Sequence, residues 1–528
     1  MPDWPKSFHT FGVNLRTAAM EWRLRKKRGA VAQQERCFAA LLAPLARAAV
    51  WREAGVEAGM RYEKFRARVA PRTYEQLAPE IGRMRRGEAD VLWPGRCAFF
   101  ATTPGTTGAP KFLPVTEEHL AHVRRASYDA LLYYTVRARH AAVVRGRHLW
   151  LGAPAELVPL EEAKPAAAFA GDLAGIATLG LPAWVERHVF EPDPAAALLA
   201  DWDARLAAII ARTKTRDVTL LAGLPTAALH LAYALGEDAW AAKRRLRDLE
   251  ALWPNLECLV HHGQSAAPYR DELRTLLGPT VRLHEVYAAA EGFIATQDGE
   301  PAAGLRLMAD AGVFFEFIPM ADYDEARLDR LGEKAVPLAG VQAGVDYAVL
   351  LTTPAGLVRY ALGDVVRFVT TAPPRLVPVG RTRLWLDAFG EHVHERQLTD
   401  ALALHCQRHA WRVVNFHVAP LFARGNTLQT RGRHEWWIEL QPGTVTTPTG
   451  PALAAALDAD LARLAPRYAE RRQSGLIDAP YVRLVMPGVF EHWQRFHTRW
   501  GGAHRIPRCR SDRLIADEMA GITNFAAD

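Results

Sequence analysis

Threonine, glycine and lysine crowd into TPGTTGAPK, residues 103–111, directly after the apolar run of RCAFFATT. That composition suits a loop that holds an anion, because glycines let backbone N–H groups converge, hydroxyls add donors and a lysine balances phosphate charge. The spacing is not that of a GxxxxGK(S/T) phosphate loop, and for this stretch alone a plain surface loop is the simpler reading. Two later stretches shift the balance. EVYAAAEGFIATQD (285–298) sets a tyrosine four residues before a glutamate, and GLVRYALGD (356–364) ends a strand-like run in Gly-Asp. A ring for adenine at Tyr287, a carboxylate for a hard cation at Glu291 and an acceptor for ribose hydroxyls at Asp364 are what a Mg-ATP site needs. Each is commonplace singly; their order and separations together are specific.

The elements that would position these groups are legible in outline. Residues 30–90 carry helical apolar spacing, as in CFAALLAPLARAAVW and YEQLAPEIGRMRRG. Strand signals (RCAFFATT, RGRHLWLGAP, VTLLAGLP, LECLVHHG, VRLHEVYAA) then alternate with alanine-rich helical patterns, which predicts an α/β domain with a largely parallel sheet. From about 305 to 385, short strands with glycine and proline turns predict a β-rich subdomain. After PVGR (378–381), a helix, a strand pair around VVNFHVAPLF and RHEWWIELQPG, and a further helix predict a separate α+β lobe.

The 528 residues exceed one typical domain, so two or three lobes are expected. With 49% hydrophobic and 23% charged residues, the chain is that of an ordinary soluble protein with large cores. Its formal charge of +7 could attract anionic ligands, but no basic stripe of the nucleic-acid-binding kind is evident. The segment EWRLRKKRGA (21–30) is read as a charged, solvated helix face rather than a leader. Five scattered cysteines without a CxxC pair speak against disulfides and structural zinc. No apolar run is long enough to span a bilayer, so the expectation is a cytoplasmic monomer without membrane or nucleic-acid partners. The histidine pair at 261–262 reads as packing rather than metal binding, and Ser265, in HGQSAAP, lies in no GxSxG elbow.

The order TxGTTGxPK, YxxxEG, RYxxGD and a Gly-Arg hinge resembles the adenylate-forming superfamily. More closely, nearly the whole chain resembles the acyl-acid amido synthetases, the plant auxin- and jasmonate-conjugating enzymes and their bacterial relatives. RYEKFRARV (61–69), WPNLECLV (253–260), EGFIATQD (291–298), FEFIP (315–319) and GGAHRIPRCRSDR (501–513) carry that resemblance. It implies a large N-terminal lobe, 1–382, of two helix-flanked sheets plus a β-barrel, and a small mobile α+β lobe, 383–528, closing over the active site. It also implies ATP and Mg2+ as cofactors, with a small carboxylic acid and an amine, usually an amino acid, as substrates. The acid would become an acyl-adenylate with release of pyrophosphate, and the amine would then displace AMP to give an amide. By the same resemblance, Thr103, Thr106, Thr107, Gly108 and Lys111 belong to the phosphate loop. Tyr287 would contact adenine, Glu291 the magnesium and Asp364 the ribose, which Arg381 at the hinge would also meet.

Several positions depart from that pattern. Pro104 stands where the loop usually has serine, removing a hydroxyl and an N–H donor and fixing φ. Ala290 replaces a serine, Ala361 an arginine and His392 a lysine. Arg505 occupies the position of the lysine that would bridge substrate carboxylate and α-phosphate. Arginine keeps the charge on a larger planar fork, and the task is mainly electrostatic. The expectation is a working ligase, possessing Arg505, Glu291 and Lys111 as catalytic groups; the alternative is an impaired relative that binds nucleotide or carboxylate as a sensor or scaffold.

Overall fold

The computed structural model describes residues 6–25, 29–103, 110–164, 167–423, 431–441, 448–497, 500–502 and 504–525. They form two compact units: one of 1–222, 253–263 and 282–378, the other of 223–252, 264–281 and 379–528. The division follows packing rather than chain order, so two segments before residue 282 belong with the C-terminal unit.

Alternating strands and helices give the first unit its main sheet. Twelve strands run edge to edge as Val336–Pro337, Phe314–Pro319, Asp346–Thr352, Tyr360–Thr371, Pro374–Arg381, Leu305–Leu307, Gly292–Gln297, Arg282–Ala289, Cys258–His261, Val218–Gly223, Arg147–Leu151 and Phe190–Glu191. Pairing is parallel where helical crossovers return the chain, as between Cys258–His261 and Arg282–Ala289. It is antiparallel from Arg282–Ala289 through Gly292–Gln297 and Leu305–Leu307 to Pro374–Arg381. The β-rich stretch expected after 305 supplies short strands that join this sheet, with Val336–Pro337 at one end of the strand order. A second, four-stranded sheet contains the antiparallel hairpin Phe99–Thr103 and Lys111–Val115, with Thr103 opposite Lys111.

One apolar core unites the helices before residue 90 with both sheets, through Trp51, Phe65, Phe100, Phe315 and Tyr360 among others. A buried ion pair crosses it. Arg359 donates from Nη2 to Glu316 Oε1 at 2.8 Å, and neither side chain is more than 1% exposed.

The second unit holds a three-stranded sheet, Val413–Phe422, Gly432–Leu440 and Tyr481–Val485, the last pair parallel. Helices Glu395–His409 and Gly450–Leu464 lie against it. Successive side chains of a strand point to opposite faces, so Trp436 and Trp437, both fully buried, enter two different cores.

Candidate active site

Glu291 lies in the two-residue turn between Arg282–Ala289 and Gly292–Gln297, whose last pair is Ala289 with Gly292. Its carboxylate is 8% exposed and accepts a hydrogen bond from the Tyr360 hydroxyl at 3.1 Å. Burial pushes its pKa up, opposed by its own backbone N–H and the Lys111 ammonium, while the Asp364 charge adds to the rise. Glu291 therefore lies in the field of both the Lys111 ammonium and the Asp364 carboxylate.

Tyr287 stands on the preceding strand and donates from its hydroxyl to Asp364 Oδ2 at 2.7 Å. Asp364 was expected where a strand ends; the strand instead runs from Tyr360 to Thr371. Against its neighbour, Ala348 pairs with Val365 but Leu350 pairs with Ala361, so residues 362–364 bulge out of register. Gly363 supplies the left-handed φ of 82° that this bulge needs. The bulge turns Asp364 out of the ladder, while Tyr360 stays in it beneath Glu291.

Two histidines that the sequence reading passed over fix the Glu291 turn. His119 and His122 lie one helical turn apart in Glu117–Ala138, a helix capped by the Thr116 hydroxyl. His119 Nε2 lies 3.0 Å from the carbonyl oxygen of Ala290. His122 Nε2 accepts from the Phe293 N–H at 2.9 Å, so its proton sits on Nδ1 and is donated to the Ala311 carbonyl at 2.6 Å. Burial lowers the pKa of both rings, that of His119 to about 3, which keeps them neutral. His122→Phe is expected to cost about 2–3 kcal/mol in urea unfolding, because it strands a buried N–H and a buried carbonyl together. A loss below about 1 kcal/mol would mean that the turn does not depend on this ring.

Lys111 opens its strand with its ammonium 5.2 Å from the centre of the Tyr74 ring, and the Tyr74 hydroxyl accepts from the Phe112 N–H at 2.9 Å. Thr103 sits opposite Lys111 on the hairpin. Pro104, Thr106, Thr107 and Gly108 lie outside the described residues.

The structure thus brings Lys111, Tyr287, Glu291 and Asp364 together in the first unit. Arg381 ends a strand, forms a bridge with Leu384 and belongs to the second unit, as do His392 and Arg505. His392 adopts a left-handed φ of 44°, its Nδ1 3.1 Å from Asp387 and its ring centroid 4.9 Å from that of Trp385. Arg505 is exposed, while Arg508, three residues on, is 3% exposed. Arg508 donates to the Tyr269 hydroxyl at 2.6 Å and to Gln264 Oε1 at 3.1 Å. Its own carbonyl accepts from the Val418 N–H at 2.9 Å, which seats the segment beside Val413–Phe422. An arginine inside the otherwise apolar IPRC was the sequence signal for this anchor.

Among the described residues no group of three or more His, Cys, Asp or Glu could hold a metal. A lone buried carboxylate still fits magnesium, which commonly takes one or two carboxylates and completes its shell with water and phosphate oxygens. A cation there would also offset the burial that raises the Glu291 pKa.

Models of the GH3 family match over most of the chain: its N-terminal domain over residues 20–158, its central domain over 306–381 and its C-terminal domain over 396–513. The chain belongs to the GH3 family. Among curated relatives of this GH3 chain is a probable indole-3-acetic acid-amido synthetase, GH3.12, of Oryza sativa subsp. japonica. It is 27% identical over 308 residues, covering 53% of this chain and 49% of the relative, so the match spans about half of each. A second probable indole-3-acetic acid-amido synthetase of the same subspecies, GH3.2, is 27% identical over 449 residues, covering 71% of this chain and 70% of the relative. Among solved structures, the GH3.15 acyl acid amido synthetase in complex with 2,4-DB superposes with a TM-score of 0.76 at 18% identity, covering 99% of this chain and 97% of that one. A 2-hydroxyisobutyryl-CoA ligase in its postadenylation state gives a TM-score of 0.55 at 16% identity, covering 95% and 93%. These likenesses establish a GH3 fold related to that of adenylate-forming ligases.

Proposed function

We propose that this protein is an ATP- and Mg-dependent acyl-acid amido synthetase that joins a small carboxylic acid to an amine such as an amino acid. The observation that carries the reading is the buried Glu291 carboxylate, held by Tyr360, under the charge of Lys111 and beside the Tyr287–Asp364 pair, in a chain of the GH3 family. The amido synthetases among its relatives support it.

In the first half-reaction the acid's carboxylate oxygen attacks the α-phosphorus of ATP, the bond to pyrophosphate breaks, and an acyl-adenylate remains. In the second, the amine attacks the activated carbonyl, loses a proton and expels AMP. Lys111 and Thr103, with Thr106, Thr107 and Gly108, bind the phosphates; Tyr287 orients adenine; Asp364 and Arg381 hold the ribose. Arg505 stabilises negative charge on carboxylate and α-phosphate, a role that an arginine's fixed charge can fill without proton transfer. Glu291 would hold magnesium, which when bound would neutralise phosphate charge and polarise the phosphoryl oxygens. No helix among the described residues is long and apolar enough to cross a membrane.

Pyrophosphate release with Mg-ATP and a panel of aromatic and fatty acids, with and without amino acids, tests the reading. Acid-dependent release, followed by amide formation when the amine is added, is the expected result. Arg505→Ala is expected to lower release about a hundredfold with ATP affinity little changed, since its charge acts on the transition state. The departures at Pro104, Ala290, Ala361, His392 and Arg505 carry a second reading, a non-catalytic binder of nucleotide or carboxylate. Measurable ATP binding with silence across the panel would select it.

A further inference from the structure

Arg505 sits on no helix or strand. It is exposed, yet residues 506–509, directly after it, are all buried. Their partners lie along one strand of the second unit, Val413–Phe422. Ile506 joins the apolar cluster of Ala419 and Trp437. Arg508 Nη1 donates to the Phe416 carbonyl at 3.3 Å. The Val418 N–H donates to the Arg508 carbonyl at 2.9 Å, and the Val418 carbonyl accepts from the Arg510 N–H at 3.2 Å. Between Phe416 and Val418 stands His417, with its Nδ1 2.7 Å from the carbonyl oxygen of Pro507.

Proline has no N–H, so its carbonyl is the one backbone group through which Pro507 can be held by a hydrogen bond. A carbonyl only accepts, so the ring proton of His417 sits on Nδ1 and is donated. His417 is 0% exposed, and burial pushes its pKa down to about 4, which keeps the ring neutral with that proton in place. The bond falls two residues from the guanidinium that is read as acting on the α-phosphate. Stabilisation of a developing charge depends steeply on where the opposite charge is held. An arginine on a long stem, outside any helix or strand, takes its placing from the backbone beside it, and here a buried ring fixes that backbone.

We propose that His417 is a positioning residue for Arg505, fixing at Pro507 the backbone from which the guanidinium reaches the reacting carboxylate and α-phosphate. The inference rests on the reading of Arg505 as the charge that acts there. The test measures acid-dependent pyrophosphate release by the full chain carrying His417→Phe, His417→Asn and Arg505→Ala, and by the Phe and Ala variants combined. His417→Phe is expected to lower kcat about tenfold with the KM for ATP within about twofold of the native value. His417→Asn, whose side-chain N–H can replace that of Nδ1, should recover all but about threefold of the rate. In the Arg505→Ala background His417→Phe should cost nothing further, because the group it positions is gone. Hydrogen exchange without ATP should quicken at least about tenfold at residues 504–510 in His417→Phe and stay unchanged across Gly432–Leu440. Losses that multiply in the double variant, a raised KM in place of a lowered kcat, or unchanged exchange at 504–510 would overturn the proposal. So would exchange that quickens throughout the second unit, which would make His417 a support of the fold alone. Native release that Arg505→Ala leaves intact would instead remove the reading of Arg505, and this inference with it.

Discussion

Glu291→Gln is expected to lower acid-dependent pyrophosphate release by about two to three orders of magnitude while leaving the protein folded. The substitution keeps the shape of the side chain and an oxygen for the Tyr360 hydroxyl, 3.1 Å away in the native protein, so it removes charge rather than packing. Its effect on stability has a definite sign. Burial raises the Glu291 pKa above the ordinary carboxylate range, so the ionised carboxylate costs folding free energy. That cost is absent below the unfolded pKa, develops as pH rises towards the folded one, and is complete above it. Glutamine carries no such cost, so the variant should melt at the same temperature as the native protein or higher at pH 7–8, the difference shrinking in acid. Saturating magnesium should protect the native protein, with ATP present, more than the variant. Undiminished release by a folded variant would remove Glu291 from the metal site; lost release accompanied by unfolding would instead mean that the carboxylate is structural.

How far the sequence could lead depends on whether each residue's partner is close by in the chain. Tyr287 and Glu291 share one hairpin, whose alternation and tight turn are written in fourteen consecutive letters, 285–298. Asp364 was identifiable from its Gly-Asp dipeptide, yet the same dipeptide suggested a strand end where the strand continues. A left-handed glycine serves a turn and a bulge equally well, and only the pairing partner Ala348–Leu350 tells them apart. Tyr360 carries no signal in its own stretch; its hydroxyl acquires meaning from Glu291, 69 positions away. His119 and His122 were hidden for the same reason, since their acceptors and donor lie 171 and 189 positions on. The β-rich texture after 305 was legible, but not which sheet its strands would join. Short strands with proline and glycine turns fit an extension of a sheet as well as a closed one, and closure is a property of the edges, not of any strand.

The second large effect concerns the strand that delivers Tyr360 and Asp364. Glu316→Ala is expected to destabilise the protein by about 3–5 kcal/mol in urea unfolding, because it leaves the Arg359 guanidinium buried without its counter-ion. Arg359 is 0% exposed and gives Nε and Nη2 to the Glu316 carboxylate at 2.8–3.1 Å. Its remaining bonds go to the carbonyls of Arg66, Val69 and Gly332, which accept hydrogen bonds but carry no net charge. The Tyr62 hydroxyl, 2.8 Å from Glu316 Oε1, would lose its closer acceptor and keep only the Ala335 carbonyl at 3.4 Å. Such a loss is a large fraction of the 5–15 kcal/mol that holds a typical domain together. The pair also sets backbone geometry next to the site. Arg359 holds a left-handed φ of 47°, its N–H bonded to the Thr352 hydroxyl and its carbonyl to the Arg72 N–H. Tyr360 and then the bulge at 362–364 follow from that fixed point. Protein that remains folded in the variant should therefore bind ATP more weakly, by about tenfold or more, although residue 316 is assigned to no nucleotide contact. Replacing both partners, as Glu316→Leu with Arg359→Met, should recover much of the stability, since no charge is then stranded. A single variant within about 1 kcal/mol of the native protein would show that the guanidinium is satisfied by the carbonyls alone. The pair would then hold the strand by packing, not by charge.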